Sequence, residues 1–297
     1  MASHRAQILS WYLRRTLKPY FSSDPDPIEV RRRVERRALA LPARGVIRER
    51  AAGSVKGEWL RPSRTAPGRT ILYLHGGGYI FGTPETHRNL TSRIAKAAAA
   101  PLFSLDYRRA PEHPCPAAVE DAEAAYAMLL GAGVPAREIF IGGDSAGGGL
   151  TLALTQAIIA KGWPAPGGLF LFSPWTDLSV SGATIEQNDS SDPMFSAAAV
   201  RRSAQYYASA VGARDPRASP LWGDFSGFPK MLIFAAETEV LLDDSRRLAE
   251  RARAAGVSAE LKIYSGPMHA WPLFSPLLPE AQRTILETAA FIRGETA

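Results

Sequence analysis

Ser145 stands between Gly143 and Gly147 in a G-x-S-x-G pattern, and its surroundings make it the residue most open to chemistry. Ahead of it, Ile139-Phe140-Ile141 reads as a buried strand; behind it, the alanine- and leucine-rich run to Leu154 reads as a helix. A serine on so sharp a strand-to-helix turn needs neighbours without a Cβ two positions away on either side. Such a turn exposes Oγ and points helix N-terminal N–H groups at whatever that oxygen attacks. The pattern alone arises by chance in about one chain in ten of this size. A glycine-rich turn with no chemistry is the plain alternative, so nucleophilic catalysis requires a base, an acid and an oxyanion site elsewhere.

In an open parallel sheet, active groups gather at the carboxyl ends of the strands. The apolar run RTILYLHG at 69–76 leads into His75-Gly76-Gly77-Gly78-Tyr79. Consecutive glycines let backbone N–H groups turn inward, so those of Gly76, Gly77 and Gly78, with that of Ala146, are candidates for holding an oxyanion. A flexible turn or a phosphate loop is the alternative, and the lysine of a phosphate loop is missing. His75 is expected to brace this loop. Of five histidines only His269 lies beyond the serine, in GPMHAW after the strand-like run SAELKIYSG, which makes it the candidate general base. His87 and His113 are expected to be structural. The orienting acid should leave the end of KMLIFAA, where Glu237, Glu239, Asp243 and Asp244 compete. Asp243 or Asp244 is expected to cap a helix starting near Ser245, and Glu237 is almost within the strand. Glu239 is therefore preferred, with Asp243 and Glu237 left open.

The elements that must position these groups alternate. RTILYLHG, APLFSLDY, EIFIGG, GGLFLFSPW, KMLIFAAE and SAELKIYSG are near-continuous apolar strands, mostly separated by helical stretches, which implies a parallel sheet covered on both faces. GVIRERAA and SVKGEWLRP add an antiparallel hairpin, giving about eight strands. Between Trp175 and Lys230 the chain is longer than a simple crossover and carries the helical run SAAAVRRSAQYYASAV, as a lid or functional insertion does. Residues from about Ser3 to Leu41 read as two helices broken at SSDPDP. In the first, Ile8, Trp11, Tyr12, Leu13 and Leu17 recur near helical spacing among basic residues. That helix is expected to pack over the core or a site entrance; lying on a membrane surface is the alternative.

Composition narrows the remaining classes. The 297 residues are 46% hydrophobic and 22% charged, ordinary globular values with ample material for a large core. The single cysteine, Cys115, excludes an internal disulfide framework; with no signal-like apolar start, a cytoplasmic location is expected. No apolar run is long enough to span a bilayer. The net charge of +6 is spread among glutamates, as in RRRVERRA at 31–38, which reads as a solvated face and not a nucleic-acid surface. No metal-spaced Cys/His cluster and no Walker-type loop is present.

Together HGGGY (75–79), YRRAPEHPCPAA (107–118), GDSAG (143–147) and GPMHAW (266–271) make the chain resemble, over nearly its whole length, the hormone-sensitive-lipase-like (bacterial family IV) esterases of the α/β-hydrolase superfamily. The resemblance implies an α/β-hydrolase fold with a mostly parallel eight-stranded sheet, a helical cap, and hydrolysis of short- to medium-chain acyl esters through Ser145 and His269 without metal or organic cofactor. It implies a cap from residues 1–45 and 176–229 over a catalytic core of 46–175 and 230–297. It departs at the acid: the branch commonly has aspartate in a D-P-L-x-D-like stretch, where this chain has Glu239-Val240-Leu241-Leu242-Asp243, and aligning the two puts Glu239 on the acid position. Tyr79, Asp144 and Phe195 are expected to contribute to substrate binding. The implied partner is a small-molecule ester, with a homodimer possible and neither nucleic acid nor stable membrane insertion expected. Amide hydrolysis, as in arylacetamide-deacetylase-like enzymes, is an alternative chemistry; a non-catalytic receptor is an alternative class.

Overall fold

The computed structural model describes residues 2–36 and 42–295. The hairpin expected from the alternating segments is formed by β1 (Val46–Arg50) and β2 (Gly57–Pro62), and β2 pairs antiparallel with β4 (Leu102–Leu105). With β3 (Thr70–Leu74), β5 (Ile139–Asp144), β6 (Gly168–Phe172), β7 (Met231–Ala236) and β8 (Ala259–Tyr264), they build one eight-stranded sheet ordered β1-β2-β4-β3-β5-β6-β7-β8. Every pairing from β4 to β8 is parallel.

Burial explains why the central strands read as continuous apolar runs. Every residue of β3 to β7 is buried, whereas the outer strands β1 and β8 are partly open. Alternate side chains serve opposite faces. Leu72, Leu74, Ile141, Leu171 and Ile233 meet α4 (Ala117–Gly131), α5 (Ala146–Ala160) and α8 (Leu242–Ala254). Ile71, Tyr73, Phe140, Phe170, Phe172 and Phe234 meet α3 (Pro84–Ala98) and α9 (Pro279–Arg293). Each such side chain taken from water stabilises the fold by about 1.5–3 kcal/mol before entropy is counted.

The N-terminal segment folds as α1 (His4–Ser22) and α2 (Pro27–Arg36), and the rest of the stretch expected to reach Leu41 lies outside the described residues. Ser3 caps α1 and binds Glu280 of α9 through its N–H (2.8 Å) and hydroxyl (3.0 Å). Asp26 caps α2 by accepting the N–H groups of Ile28 and Glu29. Arg31 forks onto Glu112 at 2.8 and 2.9 Å and also donates to the carbonyls of Ile80 and Ala110. The insertion between β6 and β7 carries a short α6 (Thr184–Gln187) and α7 (Ala197–Ala208). Phe21, Val30 and Ala199 form a small apolar cluster that joins α1, α2 and α7.

Two local expectations are corrected. The apolar residues of α1 do not all pack: Ala6 and Leu13 are buried, but Ile8, Trp11 and Tyr12 face outward at 68%, 57% and 53% exposure. And α8 starts at Leu242, not near Ser245, with neither aspartate capping it. Asp244 Oδ2 instead accepts the N–H groups of Thr176 (2.7 Å) and Asp177 (2.9 Å), and Asp243 accepts that of Thr184 (3.1 Å). Both tether the insertion to the core. Burial pushes the Asp244 carboxyl up to about 7 despite those two N–H bonds. No helix among the described residues is long and apolar enough to cross a membrane.

Candidate active site

Four strands end on the same edge of the sheet, and each is followed by a loop carrying one of the candidate groups. β5 leads directly into Ser145, which is held at φ 53° and ψ −122°, a costly backbone conformation for a residue with a Cβ. The flanking glycines are sterically required. A Cβ on Gly147 would overlap the Leu74 carbonyl, and one on Gly143 would overlap that carbonyl and sit 2.5 Å from the Gly147 carbonyl. The strain is held by the Ser145 N–H, which donates to Phe172 O at 2.9 Å, and by its carbonyl, which accepts from Trp175 N at 2.9 Å.

Beyond β8, His269 is anchored by its neighbours: Ala270 N–H donates to the Ser173 hydroxyl at 3.0 Å, and Trp271 is buried with its ring N–H on Thr284 (3.0 Å). Beyond β7, Glu239 is wholly buried and divides its oxygens between two donors. Oε2 lies 2.8 Å from His269 Nδ1, while Oε1 accepts Ala236 N–H at 3.1 Å. A carboxylate only accepts, so in the neutral ring the proton sits on Nδ1 and Nε2 keeps its lone pair. Burial opposes charging this imidazole, but Glu239, aided by Asp192 and Asp144, holds it above its ordinary value of 6.5. Of the competing acids, Asp243 is engaged with Thr184 N–H, and Glu237 is exposed to solvent.

The glycine loop after β3 divides its roles. Gly76 N–H donates to Asp144 Oδ1 at 3.1 Å, so it is already committed and the oxyanion assignment of Gly76 is corrected. A Cβ there would also overlap Asp144 Oδ2. Gly77 and Gly78 both have positive φ (117° and 60°), and Gly78 lines the same cavity as Ser145. Ala146 opens α5, where helix geometry leaves its N–H without an intrahelical acceptor. His75 is buried flat against Tyr107 (centroids 4.1 Å apart); Nδ1 pairs with Gly76 O at 2.8 Å, and Tyr107 OH binds the His75 carbonyl. Burial, then the charges of His87 and Arg109, keep this ring well below its ordinary value, hence neutral. His87 lies 3.4 Å from Asp144, and His113 is exposed in the loop before α4.

Ser145, His269 and Phe195 line one cavity with Phe21, Phe81 and Trp175. Phe195 meets the edge of the His269 ring at 5.1 Å and 88°. The other two expected pocket residues lie elsewhere. Tyr79 is buried in a parallel stack on Tyr207 at 3.7 Å. Asp144 is buried beneath the glycine loop, also accepting from Tyr73 OH at 2.7 Å; burial opposes its charge, but His87 and these hydrogen bonds keep its carboxyl below the ordinary value. The walls Phe21, Phe81 and Leu241 carry no local motif, because they converge from α1, the glycine loop and the acid loop only after folding. A buried imidazole backed by a carboxylate, a strained serine on the same cavity, and a glycine loop lining that cavity through Gly78 are together equipped for acyl transfer.

A family described as having an alpha/beta hydrolase fold matches residues 71–273 of the chain. An acetyl-hydrolase of Streptomyces hygroscopicus is 42% identical, covering 87% of this chain and 85% of its own. An esterase of Acinetobacter venetianus is 33% identical over 82% and 81%. Among solved structures, EstE5 superposes with a TM-score of 0.95 at 36% identity, covering 99% of both chains. An esterase of the bacterial hormone-sensitive lipase family superposes at 0.92, also 36% identical, covering 100% of both.

Proposed function

Since the chain belongs to the hormone-sensitive-lipase-like branch of the α/β-hydrolase family and is a serine carboxylic ester hydrolase, we propose that Ser145 is its nucleophile, His269 its base and Glu239 its acid. The observation that carries this reading is the buried 2.8 Å bond between Glu239 and His269, on a ring that shares its cavity with Ser145. His269 Nε2 takes the serine proton as Oγ attacks the ester carbonyl. The N–H groups of Gly77, Gly78 and Ala146 hold the tetrahedral oxyanion. The departing alkoxide receives that proton, leaving an acyl-serine, which water cleaves by the same steps in reverse order.

The substrates we propose are short- to medium-chain acyl esters. Support comes from the aromatic walls Phe21, Phe81 and Phe195 and from the acetyl-hydrolase among the relatives. Residues 1–45 and 176–229 act as the cap, since α1, α2 and α7 supply Phe21, Val30 and Ala199 to the cavity wall. A cytoplasmic location is supported by the single cysteine, free and buried. The open β8 edge, with Ile263 at 43% exposure, is the surface offered for a homodimer, which light scattering on the purified chain tests. The decisive experiment for the reaction is a p-nitrophenyl ester series on wild type and Ser145→Ala. Rates should peak at short acyl chains and vanish in the variant. Rates rising steadily to palmitate would refute the substrate class, and activity surviving in Ser145→Ala would refute the nucleophile.

A further inference from the structure

We propose that Asp192, a residue of the insertion, is a positioning residue for the reaction, clamping the acid-bearing loop so that Glu239 stays on His269. This rests on the triad reading above.

Asp192 is fully buried, and its carboxylate works in two directions. Oδ1 accepts the N–H groups of Met194 (2.7 Å) and Phe195 (3.0 Å) of its own segment, fixing the aromatic ring that meets the His269 edge. Oδ2 reaches across to the N–H of Val240 at 3.0 Å, the residue immediately after Glu239. Neighbouring residues grip the same loop. Asn188 Nδ2 donates to the carbonyls of Glu239 (2.9 Å) and Glu237 (3.2 Å), and the Ser191 hydroxyl donates to Thr238 O at 3.1 Å. Residues 237–240 are therefore held from the insertion at each of four successive positions. The gripping segment is itself pinned by α1, where Arg14 donates to Ser191 O (2.7 Å) and Lys18 to Asp192 O (2.8 Å).

Both carboxylate oxygens are acceptors here, and an asparagine has only one. Asp192→Asn therefore turns an N–H₂ toward a backbone N–H on one side or the other. Either the Phe195 wall or the Val240 N–H loses its partner, and the acid loop loosens. An ordinary loop-stabilising aspartate would affect folding but not act through Glu239, and that difference is measurable.

The test is a double-mutant cycle on the full-length enzyme with p-nitrophenyl butyrate, with kcat expressed per serine titrated by a phosphonate. Asp192→Asn is expected to lower kcat about 10- to 100-fold while KM moves less than about threefold. In a Glu239→Gln background the same change should cost under about threefold, because the contact it serves is already gone. A smaller kcat loss, a loss expressed in KM, or equal losses in both backgrounds overturns the proposal. Should Asp192→Asn fail to fold, the half-buried Asn188→Ala decides by the same comparison, with a loss of about fivefold or more expected in wild type and none beside Glu239→Gln. If Ser145→Ala remains active, the triad reading falls instead, a result distinct from a normal kcat in Asp192→Asn.

Discussion

At the scale of single residues, the site depends on a serine that the backbone would not choose and an imidazole that burial alone would discharge. Ser145 keeps its positive φ because β6 and Trp175 hold both of its peptide groups. Replacing it by alanine should lower kcat by about three to six orders of magnitude in ester hydrolysis assays. For the acid, Glu239→Gln should collapse kcat while Asp243→Asn, which disturbs its tether to Thr184 and its ion pair with Arg246, should change it little; a collapse confined to the second variant would reassign the acid. His269 is held above 6.5 by its carboxylate neighbours, and as the proposed base it must be neutral to act. kcat/KM should therefore rise with pH through a midpoint above 6.5, and that midpoint should fall in Glu239→Gln. The stability linkage has the opposite sense. A raised folded value means that the native state holds the proton more tightly, so this contribution is complete below 6.5 and is lost as pH rises through the folded value.

At the scale of elements, the turns and loop anchors carry the demands. Gly147→Ala brings a Cβ onto the Leu74 carbonyl, backbone that cannot give way, so the variant should be recovered poorly or inactive when expression and activity are compared with wild type. Asp244 explains why α8 begins early: its side chain serves Thr176 and Asp177 and not its own helix. Asp244→Ala strands two buried N–H groups and should lower unfolding stability by about 1–3 kcal/mol in urea titrations. Strands, hairpin and the larger helices were legible beforehand because each is a local pattern, apolar runs of 4–6 residues or a 3.6-residue period. The start of α8 was not, because a cap and a long-range tether look alike in sequence: both are an aspartate near a helix start. The outward face of α1 was also missed, since periodicity fixes which residues share a face but not which face finds a partner.

Across the whole molecule, one sheet gathers groups separated by more than a hundred residues, and the segments outside the sheet complete the pocket. Removing residues 1–45 takes away Phe21 and Val30 from the cavity wall and Arg14 and Lys18 from the insertion. The shortened chain is expected to lose most ester hydrolysis even where circular dichroism shows the sheet retained. Sequence by itself determined the fold class and the placement of Ser145 on a strand-to-helix elbow and of His269 after a late strand, because each rests on steric and periodic constraints expressed within a few residues: glycines around Ser145, a lone histidine after β8. It also ranked Glu239 first. Tertiary structure alone decided that Gly76 N–H is spent on Asp144, that Tyr79 stacks on Tyr207 away from the cavity, and that Asp192 reaches Val240. Those outcomes depend on which hydrogen-bonding group meets which across loops distant in the chain, and no local spacing encodes that choice.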